Sequence, residues 1–159
     1  MQTLFGTHHN YGLTVLRIAL GIVFLAHGSQ KMLGIFGGAG FSGTMGFFES
    51  MGIPAVFAFL AICAEFFGGI GLILGLLGRI AAFGILCNML VAISMVHLPN
   101  GFFMNWTGQQ KGEGFEYHLL VLAIAVVIIW QGSGASSVDE LIARSAGRVT
   151  AAEYPGHAL

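Results

Sequence analysis

Four long apolar runs occupy most of this chain, and nearly all of its charges lie inside one of them or at its edge. A folded domain in water needs a charged shell, and this chain has none to spare. Only 8% of its residues are Asp, Glu, Lys or Arg, 56% are hydrophobic, and the mean hydropathy is +0.85. Hydrocarbon is therefore the expected solvent. The expected fold is all-α, an integral membrane four-helix bundle over 1–140 with a polar tail over 141–159. A net charge of −1 leaves no electrostatic footprint for nucleic acid. Cys63 and Cys87 both fall in apolar runs, so they read as small packing residues and not as a disulfide framework.

The spans are expected at about 12–33, 54–77, 80–98 and 116–131, because about 20 helical residues cross the hydrocarbon layer. Arg17, His27 and Lys31 interrupt the first span, which argues for a retained helix and against a cleaved leader. A glycine-rich stretch follows, in which Thr44 to Met51 is expected as a short interfacial helix. Pro54 opens the second span, Gly78-Arg79 marks a tight turn into the third, and Pro99 stops it. Gly132-Ser133-Gly134 ends the fourth span. Ser136 to Glu140 then resembles a cap opening a short polar helix that runs to Arg144. Arg17, Arg79, Arg144 and Arg148 lie toward one side and Lys31 and Lys111 toward the other, which places both termini in the cytoplasm.

Charges at membrane depth are costly and tend to serve a purpose. Counting from span ends puts His27, Glu65 and Asn88 in one layer near the middle to outer half of the bilayer, with Lys31 and Glu116 at a level above it and His97 and His118 nearby. His27 and Lys31 share a helix face at a spacing of four. Arg17 lies close to the line of Lys31, with Gly21, Phe24 and Gly28 between. Glu65 carries a similar stripe through Gly68, Gly69, Leu72 and Gly75 to Arg79, and such stripes are expected to face protein. Glu116 and His118 point apart, and Glu116, the costlier group to expose, is expected to be the inward one. Structural roles compete with functional ones: Glu65 as a tie to Arg17 or Asn88, Lys31 and Arg79 as snorkelling side chains, His97 and His118 as interfacial residues. His27, Glu65, His97, Glu116 and His118 are suitable metal-ligand types, but no ligand spacing on one helix supports a metal site.

Several segments resemble the DoxX family of membrane proteins. They are Leu16-Arg17-Ile18-Ala19-Leu20-Gly21 and His27-Gly28-Ser29-Gln30-Lys31 in the first span and Ala64-Glu65-Phe66-Phe67-Gly68-Gly69 in the second. Leu77-Gly78-Arg79-Ile80-Ala81-Ala82, His97, Glu116 and the stretch from Gly132 to Asp139 continue the pattern in order. The resemblance implies a four-helix inner-membrane protein of bacteria or archaea in which Arg17, His27, Lys31, Glu65 and Glu116 are the shared polar set. Relatives implied by it include the membrane subunit of a thiosulfate:quinone oxidoreductase and proteins of thiol-redox and oxidative-stress complexes.

The expectation is a quinone-linked redox protein, or the membrane subunit of an oxidoreductase. Glu65, His27 and Glu116 would act as catalytic acid–base groups, while Arg17, Lys31, Asn88 and His97 would bind substrate or quinone. No haem, flavin or iron–sulfur motif is present, so electrons would come from a soluble donor protein or another membrane subunit. A non-catalytic scaffold subunit of a larger complex, or an oligomeric carrier of a small anion, are the alternatives.

Overall fold

Three of the four apolar runs fold into helices long and apolar enough to cross a membrane. The computed structural model describes residues 2–145; of the expected tail, 141–145 belong to a helix, and 146–159, Arg148 among them, lie outside the described residues. Every regular element among these is helical: α1 (Gln2–Phe5), α2 (Tyr11–Leu33), α3 (Gly40–Ser50), α4 (Ala55–Leu74), α5 (Gly78–Ala92), α6 (Glu116–Gln131) and α7 (Val138–Ser145). A π turn over Ile93–His97 and a 3-10 turn over Leu98–Asn100 extend α5 to membrane-spanning length. At 16 residues, α6 is the shortest member of the bundle. It reaches only ~24 Å at helical rise.

Local chemistry sets the helix ends. The Asn10 side chain accepts the amides of Gly12 and Leu13 and so caps α2. At the far end of α4, Gly75 adopts φ +67°; its amide bonds to Leu72 O and that of Leu76 to Gly71 O. This Schellman pattern ends the second span at Leu74 instead of the expected Leu77. The turn is therefore Gly75 to Leu77, and Gly78-Arg79 already belongs to α5. The interfacial helix α3 begins four residues earlier than expected. Its one buried residue, Thr44, donates to Lys31 O at the end of α2.

The glycine stripes pack as the sequence implied. A Cβ on Gly28 would lie 2.5 Å from Phe66 N, one on Gly69 2.5 Å from Leu25 N, and one on Gly21 2.9 Å from Gly69 O. The backbones of α2 and α4 thus approach closely without side chains between them, as small-residue membrane interfaces do. Leu20 and Phe24 of α2, Leu72 of α4, Ala82, Ile85 and Met89 of α5, and Val121, Ala125 and Ile128 of α6 form the core. Val15, Ile22, Phe57, Phe67, Phe83 and Leu120 are exposed. Such a surface suits lipid and would aggregate in water.

The end of the bundle that bears α1 and α7 is locked by charge. Arg17, almost wholly buried, donates to Leu72 O and Ile73 O at the end of α4 and to Ser136 O. Arg79 likewise donates to Ile129 O and Trp130 O of α6 and to Gly6 O. Each guanidinium therefore satisfies carbonyls that a helix end leaves orphaned, and each cation sits at the negative pole of a helix dipole. The converse holds for Asp139 at the start of α5. It accepts from Leu77 N at 2.8 Å, Gly78 N at 3.1 Å and Ser133 Oγ at 2.5 Å. Ser137 Oγ accepts the Glu140 amide, so α7 is capped near the expected place. Burial alone would raise the pKa of Glu140, but hydrogen bonds from His9, the Ser136 amide and Arg144 hold it below the ordinary carboxylate range.

Candidate functional site

The opposite end of the bundle holds a different polar cluster. Glu65, on the buried face of α4, is only 2% exposed. One carboxylate oxygen pairs with Lys31 Nζ of α2, and the other accepts from Asn88 Nδ2 of α5 at 2.7 Å. Three helices thus meet through one carboxylate. The geometry follows from Gly28, where α2 comes into backbone contact with Glu65 and Phe66. Lys31 lies three residues on, about 60° around the helix from that contact line, and its long stem carries the ammonium inward. His27 lies about 100° away from the line and is exposed.

Beside this triad runs an apolar groove of about 1270 Å³. Phe24, Phe57, Phe67 and Phe83 help to wall it, and Lys31, Glu65 and Asn88 supply polar groups. His27 lines it from the exposed side, and Cys63 and Cys87 also border it as free thiols.

A second polar pair lines the groove from α6 and the end of α5. The rings of His97 and His118 are in contact, with centroids 4.0 Å apart. His97 Nδ1 donates to Glu113 O at 2.9 Å, and Asn100 Nδ2 reaches the same carbonyl at 3.2 Å. His118 is 5% exposed, and its Nδ1 is buried with no hydrogen-bond partner. The π turn that delivers His97 left no mark in the hydropathy pattern, although such turns recur at functional sites.

Several residues expected at one site are thus separated. Arg17 lies at the other end of the bundle with its guanidinium committed to carbonyls, far from Lys31 and Glu65. Fourteen residues along one helix keep a common face but span ~21 Å. Arg79 caps α6 and does not snorkel. The choice between Glu116 and His118 is reversed: His118 is the buried group. Glu116 Oε1 holds the loop by accepting from Met104 N at 2.9 Å and Trp106 Nε1 at 3.1 Å. Those two donors made outward exposure cheap for a carboxylate. His27 joins no hydrogen bond to the triad, whereas Lys31, Glu65 and Asn88 come together directly. Ser133 and Asp139 read in the sequence only as parts of helix-end signals and of the family pattern; the Ser136–Glu140 cap pointed to α7, and the tie of Asp139 to the start of α5 was not expected. Among the described residues no three His, Cys, Asp or Glu side chains converge as a metal cage.

A lipid-facing helical bundle with a buried lysine–carboxylate–amide triad beside an apolar groove defines a small polytopic membrane protein with an intramembrane polar site. The chain belongs to the DoxX family, whose model matches residues 12–98. It is 31% identical over 117 residues, 74% of this chain and 78% of the relative, to the Bacillus subtilis protein named "Putative oxidoreductase CatD". It is 31% identical over 139 residues to the "Uncharacterized membrane protein Rv3486" of Mycobacterium tuberculosis, covering 82% of this chain and 81% of that one. The Escherichia coli "Inner membrane protein YqjF" is 30% identical over 131 residues, 82% of this chain and 92% of the relative. No solved structure matches the chain.

Proposed function

We propose that this DoxX protein is a quinone-linked redox protein of a bacterial or archaeal cytoplasmic membrane, serving as the membrane subunit for a soluble electron donor. The observation that carries the reading is the Lys31–Glu65–Asn88 triad set into the wall of an apolar groove among lipid-exposed helices. A quinone needs an apolar slot for its tail and hydrogen-bond donors for its head-group oxygens, and the groove offers both. When bound, a quinone supplies the capacity to take up two electrons and two protons. Lys31 Nζ has donors left beyond the one given to Glu65, and the Asn88 amide has a second N–H. These two residues hold and orient the head group, and Glu65 keeps the ammonium in place and exchanges a proton with it. Both termini lie in the cytoplasm, so the triad is in the outer half of the bilayer. The name of the Bacillus subtilis relative is consistent with redox chemistry.

Binding of decylubiquinone and menadione to protein in nanodiscs tests this. Saturable binding that weakens at least tenfold in Glu65→Gln supports the reading; absence of saturable binding to the wild type overturns it.

One observation favours a second reading, that of a scaffold subunit in a larger redox complex. Both oxygens of Glu65 are already paired within the protein, and a satisfied network can act simply as glue. Gentle extraction from native membranes would return a stable stoichiometric companion and no bound quinone in that case. The carrier alternative has lost its footing, because Arg17 is committed to helix carbonyls and does not line the groove.

A further inference from the structure

We infer that His118 is the second hydrogen-bonding contact for the groove's ligand, opposite Lys31, and that His97 is the positioning residue that holds it there. This rests on the quinone reading above and names a contact which that reading does not contain.

The triad occupies α2, α4 and α5, and leaves the α6 side of the groove to Tyr117 and His118. His118 is buried, yet its Nδ1 finds no partner among the described residues. Buried polar nitrogens are nearly always satisfied, and an exception asks for a reason. His118 lines the groove, and a turn of the ring that opens this nitrogen to it lets a ligand oxygen supply the missing partner. The two polar walls belong to one groove, since Lys31, Glu65, Asn88 and His118 all line it.

Imidazole also suits a ligand that changes between carbonyl and hydroxyl. A neutral ring nitrogen donates when protonated and accepts when bare, so a tautomer exchange matches either form without a change of charge. A purely donating side chain, lysine included, can bond to either oxygen but cannot accept the hydroxyl's hydrogen. The oxidised ligand's oxygen accepts from the His118 N–H, and the reduced ligand's hydroxyl donates to the bare nitrogen.

The supporting geometry is specific. His97 packs its ring on His118 at 4.0 Å, and its Nδ1–H is tied to the Glu113 carbonyl. The π turn at Ile93–His97 takes up about one residue more than a regular helical turn, and His97 closes it in ring contact with His118 of α6.

The test uses full-length protein in nanodiscs with menadione and menadiol as probes. His118→Phe is expected to weaken binding of both about tenfold, the loss of about 1.4 kcal/mol of contact. His118→Asn places an amide near the Nδ1 position and His118→Gln near Nε2; one of the two recovers most of the affinity. His97→Phe keeps a ring against His118 but removes the tie to the Glu113 carbonyl, which retains Asn100 Nδ2, and is expected to weaken binding less than His118→Phe. If the Phe variant fails to fold, the wild type decides: histidine ¹⁵N resonances of His118 must shift on addition of menadione. Wild-type binding with unchanged affinity in folded His118→Phe, or an unmoved His118 resonance, overturns this inference and leaves the quinone reading standing. No saturable binding to wild type sinks the quinone reading itself, and the His118 contact with it.

Discussion

Removing Lys31 and removing Glu65 should have very different consequences, although both break the same ion pair. The Glu65 side chain is 3% exposed and Lys31 30%. In Lys31→Met, the carboxylate stays buried with only Asn88 as partner. Stranding one member of a buried pair costs about 3–5 kcal/mol, unless the group takes up a proton and recovers part of that. An intermediate loss of about 3 kcal/mol is therefore expected. In Glu65→Leu, the lysine is already partly exposed at the loop end of the bundle and can swing its ammonium to the headgroups. The remaining loss is one amide partner, about 1–2 kcal/mol. The double variant Lys31→Met/Glu65→Leu should fall near the Glu65 single variant, because the stranded charge is gone. Reversible unfolding in detergent, run as a double-mutant cycle, measures all three. Equal losses for the two single variants, or strict additivity in the double, would refute the reasoning.

Other expectations follow from the packing and capping. Gly28→Ala inserts a Cβ 2.5 Å from Phe66 N, so α2 and α4 must separate at a cost near the upper end of about 1–3 kcal/mol. Gly46→Ala, whose Cβ meets nothing within 4 Å, should be neutral or stabilising by up to ~1 kcal/mol, and thermal melts compare the two. Asp139→Ala removes the acceptor for Leu77 N, Gly78 N and Ser133 Oγ. A loss of about 2–4 kcal/mol is expected, with faster hydrogen exchange at the start of α5. The pKa of Glu140 is lowered on folding. Its contribution is therefore complete above the unfolded value of about 4.3 and disappears as pH falls through the lower folded value. Hydrogen exchange in α7 should accelerate over that acid range in wild type and show no such step in Glu140→Gln; an identical profile in both would exclude this role.

Much of the architecture was legible because hydrocarbon imposes simple rules. Apolar length marked the spans, and the glycine stripes marked the face where α2 meets α4. What periodicity could not provide was depth resolved to a helix turn, or the partner of each charge. Arg17 and Lys31 share a face and were grouped on that ground, yet the structure puts them at opposite ends with different tasks. Arg79 read as a snorkelling side chain because the carbonyls it caps belong to α6, 50 residues away in sequence. Glu116 was favoured over His118 on desolvation cost alone. Two donors in the intervening loop, Met104 N and Trp106 Nε1, satisfied the carboxylate outside the core. Glu65 and Asn88 were legible because antiparallel α4 and α5 adjoin through a short turn, which leaves little freedom in their register.

Photolabelling most directly tests whether the groove beside Glu65 is the place where this protein meets its ligand. A short-chain azidoquinone is irradiated with the protein in nanodiscs, and modified residues are mapped by mass spectrometry with and without excess menadione. The account predicts competable labels on the groove-facing segments of α2, α4, α5 and α6 around Lys31, Glu65, Asn88 and His118, diminished in Glu65→Gln. Labels spread evenly over the lipid-exposed faces and indifferent to competitor would contradict it.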